Sequence, residues 1–425
     1  MEPRRQVLKY DGLQGSTMSA QRIASKSAKG DQQVPAARGL AAVPPVPPEI
    51  GPTARKLPHP SGLLDHPLAR ARYQTPLRYP GAKTGLADLI GRLIGNAVHS
   101  PQVGKVDLLV EPFAGGASTS LRLVGSGVVD RVLLADADPL VAAFWQVAAA
   151  ETENLVDRVC DEHARFVSLG GQIALDRWDY WRAWTPRPGT SAATARFEAA
   201  VKCLFLNRTT FSGILHGQAG PIGGRSQTSA YGIGCRFTLE PLMERVRYVG
   251  WLYGEGRLVD VWCKHWERTL ADVPEWYPQL IPNHVVAYLD PPYLEKSDKL
   301  YQKSFNPNGG YGASPVSDLH WSNILPHQHL AEYLRRRIQF RWILSYDSHA
   351  SLLSDPALYL SREMTPSAHE REVLGVRRWR ISKRLVSLRY TASARKGRGP
   401  ADELLLTTLP PSTVPTDDDF RPLGE

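Results

Sequence analysis

An acid, two prolines and a tyrosine follow a short β-branched run in "VVAYLDPPYLEKSD", and these four residues, Asp290, Pro291, Pro292 and Tyr293, can do chemistry together. Val285 to Leu289 read as a buried strand, which puts Asp290 at its carboxyl end. In an open α/β sheet that end is where ligands bind. Neither proline can donate to a ladder, so pairing stops and a rigid shelf remains. The Asp290 carboxylate and the Pro291 carbonyl can each accept one hydrogen of an exocyclic amino group. Such a nitrogen is a poor nucleophile, because its lone pair is delocalised into the ring. Two acceptors would stabilise the positive charge that develops on it as it attacks. The Tyr293 ring would stack on the base. Taken alone, the four residues equally describe a strand ending in a tight turn with a packed tyrosine.

What tips the balance is the pattern upstream. "KVDLLVEPFAGGASTSLRLVGSG" gives a strand ending at Glu111, a glycine turn and a helix from about Ser118. "DRVLLADADPLVAAFWQVA" repeats the format, with a strand over 131–135, an acidic turn and a helix. Glycines in a strand-to-helix turn let a ligand approach backbone N–H groups, although a tight turn needs glycine for steric reasons as well. A phosphate cradle is disfavoured, since neither G-K-[ST] nor a full G-x-G-x-x-G is present. Asp136, at the end of the second strand, is placed to accept hydrogen bonds from ribose hydroxyls. Asp138, just before Pro139, is the better helix cap. In this order the pieces make a βαβ unit laid out for a nucleoside cofactor, with Glu111, Phe113, Gly115, Gly116 and Asp136 as candidate contacts.

The elements that must position these residues divide the 425-residue chain. Residues 1–70 are rich in Pro, Ala and Gly, and Tyr10 is the single aromatic among them, so a disordered arm is expected. Residues 71–150 form the cofactor-binding part, opening with "TPLRYPGAKTGLADLIGRLIG", in which Leu86, Leu89, Ile90 and Leu93 share one helix face. The stretch 151–284 changes character: helical first, then loop-rich, with Trp178, Trp181, Trp184, Trp251, Trp262, Trp266 and Trp276 among arginines. Residues 285–410 hold the shelf, a helix near "LPHQHLAEYLRRRI" and strands at "RWILSYDS" and "ADELLLTTL". A polar tail, 411–425, is expected to fray.

A net charge of +9 suits a polyanionic partner without demanding one. The four cysteines lie far apart, which fits a reducing cytoplasm. No apolar run is long enough to span a bilayer. His163, His216, His265 and His284 show no metal-ligand spacing, and no histidine is placed at the chemistry. Asn207 and Arg208 could order a loop or grip a phosphate, and equally could form a buried helix-end cap and ion pair. The basic run 377–398 could track a nucleic-acid backbone or stud an edge strand against aggregation.

Taken together and in order, "LRYPGAK", "VEPFAGGAS", "LLADAD", "FLNRTTFSGIL", "YLDPPY" and "ADELLLT" resemble the DNA adenine methylase family across roughly residues 72–410. The order, cofactor turn first and D-P-P-Y last, resembles the alpha arrangement of amino-methyltransferases. The resemblance implies an α/β, Rossmann-like S-adenosylmethionine-dependent methyltransferase fold with an inserted, mainly helical target-recognition region at 151–284. It implies S-adenosylmethionine as cofactor, with Tyr79, Lys83, Asp136 and Asp290 among its contacts and Lys83 near its carboxylate. It implies adenine in double-stranded DNA as substrate, with a cognate restriction nuclease or defence system as a second class of partner. Methylation of cytosine in DNA or of adenine in RNA would use the same shelf, and a catalytically silent DNA-binding protein could keep the fold. Two positions depart from the family pattern. Ala117 stands where the turn F-x-G-x-G has its second glycine, and Ser212 stands where phenylalanine-asparagine-glycine has its asparagine.

Overall fold

Short apolar runs buried on both faces build the centre of the molecule. In the computed structural model the described residues are 64–71, 74–78, 84–217, 219–292, 324–348, 352, 358–359, 379–389 and 400–423, all within the unit Ala41–Glu425. They form a mixed α/β structure around one sheet in the order β3-β2-β1-β4-β5-β7-β6-β8. The strands are β1 Leu108–Glu111, β2 Arg131–Asp136, β3 Leu258–Cys263, β4 Val285–Leu289, β5 Arg341–Asp347, β6 Ser382–Arg389, β7 Pro400–Thr407 and β8 Arg421–Pro422. β3, β2, β1, β4 and β5 pair in parallel, and β7, β6 and β8 are joined by antiparallel pairs. The strand order reverses between β1 and β4, and at such a switch point the loops leave in opposite directions and open a crevice.

Alternate residues of the strands enter two cores. Leu109, Val132, Leu134, Val286, Tyr288 and Ile343 face one core. It is closed by α1 (Thr84–Ala97), α2 (Ser118–Gly125), α3 (Pro139–Ala150), α6 (Ala192–Thr209) and α7 (Leu239–Gly254). Leu108, Val110, Leu133, Val285, Ala287 and Leu344 face the other, with α8 (Trp266–Trp276) and α9 (Ile324–Arg336). α3 starts as expected: the Asp138 side chain accepts from Leu140 N–H at 2.9 Å and Pro139 takes the first helical position. It packs against α6 and α7, and its buried residues run almost all round it.

Three expectations change. The stretch 151–284 contributes α4 (Thr152–Glu162), α5 (Gly171–Ala183), α6 and α7, but then returns to the sheet, where β3 pairs in parallel with β2. The mainly helical part therefore ends before Leu258. Of its tryptophans, Trp178, Trp181, Trp262, Trp266 and Trp276 are buried, and Trp184 and Trp251 pack against the core from its edge. Aromatic area here fills helix contacts. Trp181, for instance, donates its indole N–H to the buried Glu162 at 3.1 Å, beside Arg158 and Arg177.

Of the expected arm, residues 1–63 lie outside the described residues, and 64–70 are packed. Ala69 is buried, Leu64 and Leu68 pack on the core, and Gln74 Nε2 donates to the Leu68 and Ala69 carbonyls at 2.9 and 2.7 Å. The tail does not fray. Val414 and Phe420 are buried, β8 pairs with β6, and Arg92 of α1 lies 5.3 Å over the Phe420 ring. The same arginine pairs with Asp417, and with Asp419 at 2.9 Å. The missed signal was one aromatic, Phe420, in an otherwise polar stretch. β8 pairs with β6 at Arg384 and Leu385, so it covers only part of the basic run's strand.

The docked tail makes Phe420→Ala costly: it should lower the unfolding free energy by about 3–5 kcal/mol, the usual range for a buried aromatic cut to alanine. Urea unfolding of the full chain measures this, and a frayed tail would give no change.

Candidate active site

Parity along the strands decides which side chains meet. Leu109, Leu134 and Tyr288 point into the first core, so Glu111, Asp136 and Asp290, each two residues on, emerge on that same face at the carboxyl ends of β1, β2 and β4. These three strands are neighbours, β2-β1-β4. The acids feel one another. Burial pushes the Glu111 carboxyl up to about 8; hydrogen bonding from the Ser120 side chain and backbone opposes the shift, and the charges of Asp290 and Asp136 add to it. Its Oε2 is buried with no hydrogen-bond partner among the described residues. Burial, with the Asp138 charge, pushes Asp136 up to about 7.

Asp136 holds two turns at once. Oδ2 accepts from Gly115 N–H and Oδ1 from Asp138 N–H, both at 2.8 Å. The glycine turn is further pinned by Ala114 N–H to the Ala135 carbonyl at 2.9 Å and by Trp145 Nε1–H to the Gly115 carbonyl at 2.9 Å. Thr75 Oγ1 donates to the Gly116 carbonyl at 2.5 Å. Gly115 has φ 45° and Ala117 φ 46°. The left-handed backbone at Ala117 explains why a glycine suits this position, and here the alanine carries the conformation at a cost of about 1–2 kcal/mol. Phe113 turns away from the acids and packs, half-buried, against the second core.

Asp290, Pro291 and Pro292 follow β4 as expected, Pro291 buried and the other two partly so. Ser345 Oγ donates to Asp290 Oδ1 at 3.1 Å. Tyr79, Lys83 and Tyr293 lie outside the described residues.

Asn207 and Arg208 turn out to grip protein. Asn207 is buried at the end of α6; its Oδ1 accepts from Arg78 N–H at 2.7 Å and its Nδ2 donates to the Arg78 carbonyl at 2.6 Å. Nδ2 also reaches the Gly213 carbonyl at 3.2 Å. Arg208, buried and with its pKa lowered by burial to about 9, donates to the Pro76 carbonyl. Residues 75–78 are thus tied to the glycine turn by Thr75 and to α6 by Asn207 and Arg208, which fixes where the chain enters "YPGAK". Gly213 is part of this clasp. Its φ is 77°, and a Cβ there would lie 2.5 Å from the Arg78 carbonyl oxygen. Ser212 beside it has φ 57°, a backbone that asparagine tolerates better than serine.

One histidine does reach the site. His216 Nε2 lies 2.5 Å from Asp138 Oδ2. Burial lowers the pKa of the His216 imidazole, but the Asp138 charge outweighs it and the net shift is upward. The contact joins residues 78 positions apart, and no local spacing announces it.

The family model of the D12 class N6 adenine-specific DNA methyltransferases matches residues 79–218. The matched stretch holds the glycine turn, Asp136 and the Asn207–Gly213 clasp. The motif resemblance and this match agree on the adenine methylases, a family of enzymes. No curated protein matches the chain.

The clasp yields substitutions of opposite sign at adjacent positions. Gly213→Ala should cost about 2 kcal/mol or more, because the left-handed backbone and the collision with Arg78 add. Ser212→Asn should stabilise by about 0.5 kcal/mol by relieving the same kind of backbone. Thermal unfolding of both variants reads the two signs.

Proposed function

We propose that the chain transfers a methyl group from S-adenosylmethionine to the 6-amino group of adenine in DNA. The observation that carries this reading is the convergence of three acids on one face at the β2-β1-β4 carboxyl edge, two of them with raised pKa values. Such an edge is electrostatically unsatisfied and suits a cationic ligand. S-adenosylmethionine is one: when bound, it supplies a methyl group on a sulfonium, and its amino-acid end carries an ammonium.

The residues fit that group. Glu111 has a buried, unpartnered carboxylate oxygen available to a cation or an N–H donor. Asp136 spends one acceptor position on each oxygen in holding Gly115 and Asp138, and a carboxylate has about four, which leaves room for a pair of ribose hydroxyls. Gly115 and Gly116 present close backbone, and Tyr79 and Lys83 are proposed at the amino-acid end, following the clasped residues 75–78. Asp290 and the Pro291 carbonyl take the hydrogens of the adenine amino group, and Tyr293 stacks on the ring. Asp290 and its neighbour carbonyl hold the nitrogen and stabilise the charge it gains, so catalysis is positioning plus electrostatics. The base must leave the duplex to reach this edge.

The strand order supports a Rossmann-like methyltransferase sheet, with the switch point between β1 and β4 flanked by Glu111 and Asp290. The helical segment α4–α7 and the loop before α7 are proposed as the inserted target-recognition region. Phe211 and Tyr231, exposed at 66% and 63%, are the most exposed rings among its described residues, ahead of Tyr180 and Tyr253.

The direct test maps modified adenines in DNA from a host expressing the protein; unmodified DNA would overturn the reading. Asp290→Ala should lower turnover on the order of a hundredfold or more while DNA affinity holds, since backbone contacts supply most of that affinity. Wild-type turnover in the variant would remove Asp290 from the chemistry.

The raised acids set a pH dependence. An acid whose folded pKa lies above its unfolded value stabilises the fold at low pH, and that contribution is lost as pH rises through the folded value. With Asp136 at about 7 and Glu111 at about 8, the ligand-free protein should lose stability as pH rises from about 4 to about 8. A cationic cofactor favours the ionised acids, so its affinity should rise from about pH 6 to about 8.5, less steeply in Glu111→Gln. Calorimetric titration across this range measures the slope, and a flat profile would count against the acids as the cofactor's partners.

A further inference from the structure

Ser345 sits inside β5, between β4 and β7, with no solvent exposure. On its face of the sheet the neighbouring strand positions are Ile343, Tyr288 and Leu405, all part of the first core. A hydroxyl buried in such surroundings is unfavourable unless it is hydrogen-bonded. The Ser345 hydroxyl bonds to β4 and to the residue that follows it. Leu289 pairs with Leu344, so the next residues along, Asp290 and Ser345, stand side by side. Ser345 Oγ donates to Asp290 Oδ1 at 3.1 Å, and the Tyr288 hydroxyl lies 3.1 Å from the same Oγ.

The direction of this chain follows from proton counting. Serine has one hydroxyl proton, and the carboxylate takes it. Oγ is then left as an acceptor, so Tyr288 must be the donor. Tyr288 is fully buried. Thr119, the second residue of α2 and close behind the glycine turn, is a further hydrogen-bonding neighbour of the Tyr288 hydroxyl.

We propose that Ser345 and Tyr288 are positioning residues that fix the plane of the Asp290 carboxylate through a buried Tyr288→Ser345→Asp290 chain. This rests on the reading of Asp290 as the acceptor for the adenine amino group. A carboxylate at the end of a strand can turn about its Cβ–Cγ bond, and each bond to one of its oxygens narrows that rotation. Holding one oxygen selects the orientation in which the group meets the amino hydrogens, before substrate arrives. The donor chain also polarises cooperatively as charge develops on the nitrogen. Ser345 acts on Asp290 directly, and Tyr288 acts on it only through Ser345. The helix that starts at the cofactor turn touches the same chain, so the cofactor and base halves of the site share one buried connection.

A double-mutant cycle on the full-length protein tests this, with single-turnover methyl transfer to DNA at saturating cofactor and duplex. Ser345→Ala should slow the step by about 10- to 100-fold, as losing the orientation of one charge-stabilising group does. Cofactor and DNA dissociation constants should move by less than about threefold, because backbone and phosphate contacts are untouched. Tyr288→Phe should cost about 3- to 10-fold, the loss of one buried donor. The double variant should be no slower than Ser345→Ala alone, and Ser345→Thr, which keeps the hydroxyl, should recover most of the rate. A merely structural pair predicts lowered unfolding midpoints with losses spread over binding and rate, and losses that multiply. Wild-type rate in Ser345→Ala, multiplying losses, or a loss confined to binding would each overturn the chain. Should Ser345→Ala not fold, the Tyr288→Phe and Ser345→Thr arms decide, since one removes a single oxygen and the other keeps the hydroxyl. Wild-type activity is measured first. An inactive wild type overturns the functional reading itself, whereas an active wild type with indifferent variants overturns only the positioning chain.

Discussion

One half-buried carboxylate organises the site. Asp136 accepts from Gly115 on one strand-to-helix turn and from Asp138 on the next, and so holds two loops in register that the sheet alone would leave to diverge. Backbone N–H groups are strong donors to a carboxylate, which is how the fold tolerates an acid there at all. The tolerance is incomplete, since burial and the neighbouring Asp138 still push its pKa up. Glu111 beside it is buried too: Ser120 compensates in part, and Oε2 has no hydrogen-bond partner among the described residues. The edge is therefore under electrostatic tension, which a cation relieves.

The second constraint is the way the two ends of the matched stretch are brought together. Residues 75–78 carry little secondary structure, yet Thr75 bonds the glycine turn while Asn207 and Arg208 bond Arg78 and Pro76. A side-chain amide that satisfies both polar groups of one residue acts as a short strand would, without requiring a strand. The clasp explains why Gly213 cannot bear a Cβ and why Ser212 sits in a left-handed backbone. Ala117 carries a similar backbone in the glycine turn. Both departures from the family pattern thus fall at backbone positions that the fold still imposes, and the strain is local.

Many aromatic and basic residues in 151–284 are satisfied within the protein. Interleaved Trp and Arg look like a surface for nucleic acid, but the same residues bury well together when a carboxylate is included. Glu162 accepts from Arg158, Arg177 and Trp181, and Arg177 stacks on Phe166 and Tyr180 at 4.4 and 4.1 Å. Composition records which groups are present, and only packing shows whether they point at solvent or at one another.

The sequence by itself determined what depends on neighbours along the chain. The strands ending at Glu111, Asp136 and Leu289, the Asp138-Pro139 helix start and the apolar face of α1 are all local: period-two burial, a cap and a period of 3.6. Motif order was enough for the adenine methylase resemblance, which the match over 79–218 bears out. Tertiary structure decided what depends on distant residues meeting. The return of β3 to the sheet, the docking of Phe420 on α1 and the His216–Asp138 contact have no local signature, because each partner is ordinary in its own neighbourhood. The same holds for Ser345, one small hydroxyl in an apolar strand. Its meaning comes from β4 and β5 lying side by side in parallel, which puts Asp290 within 3.1 Å.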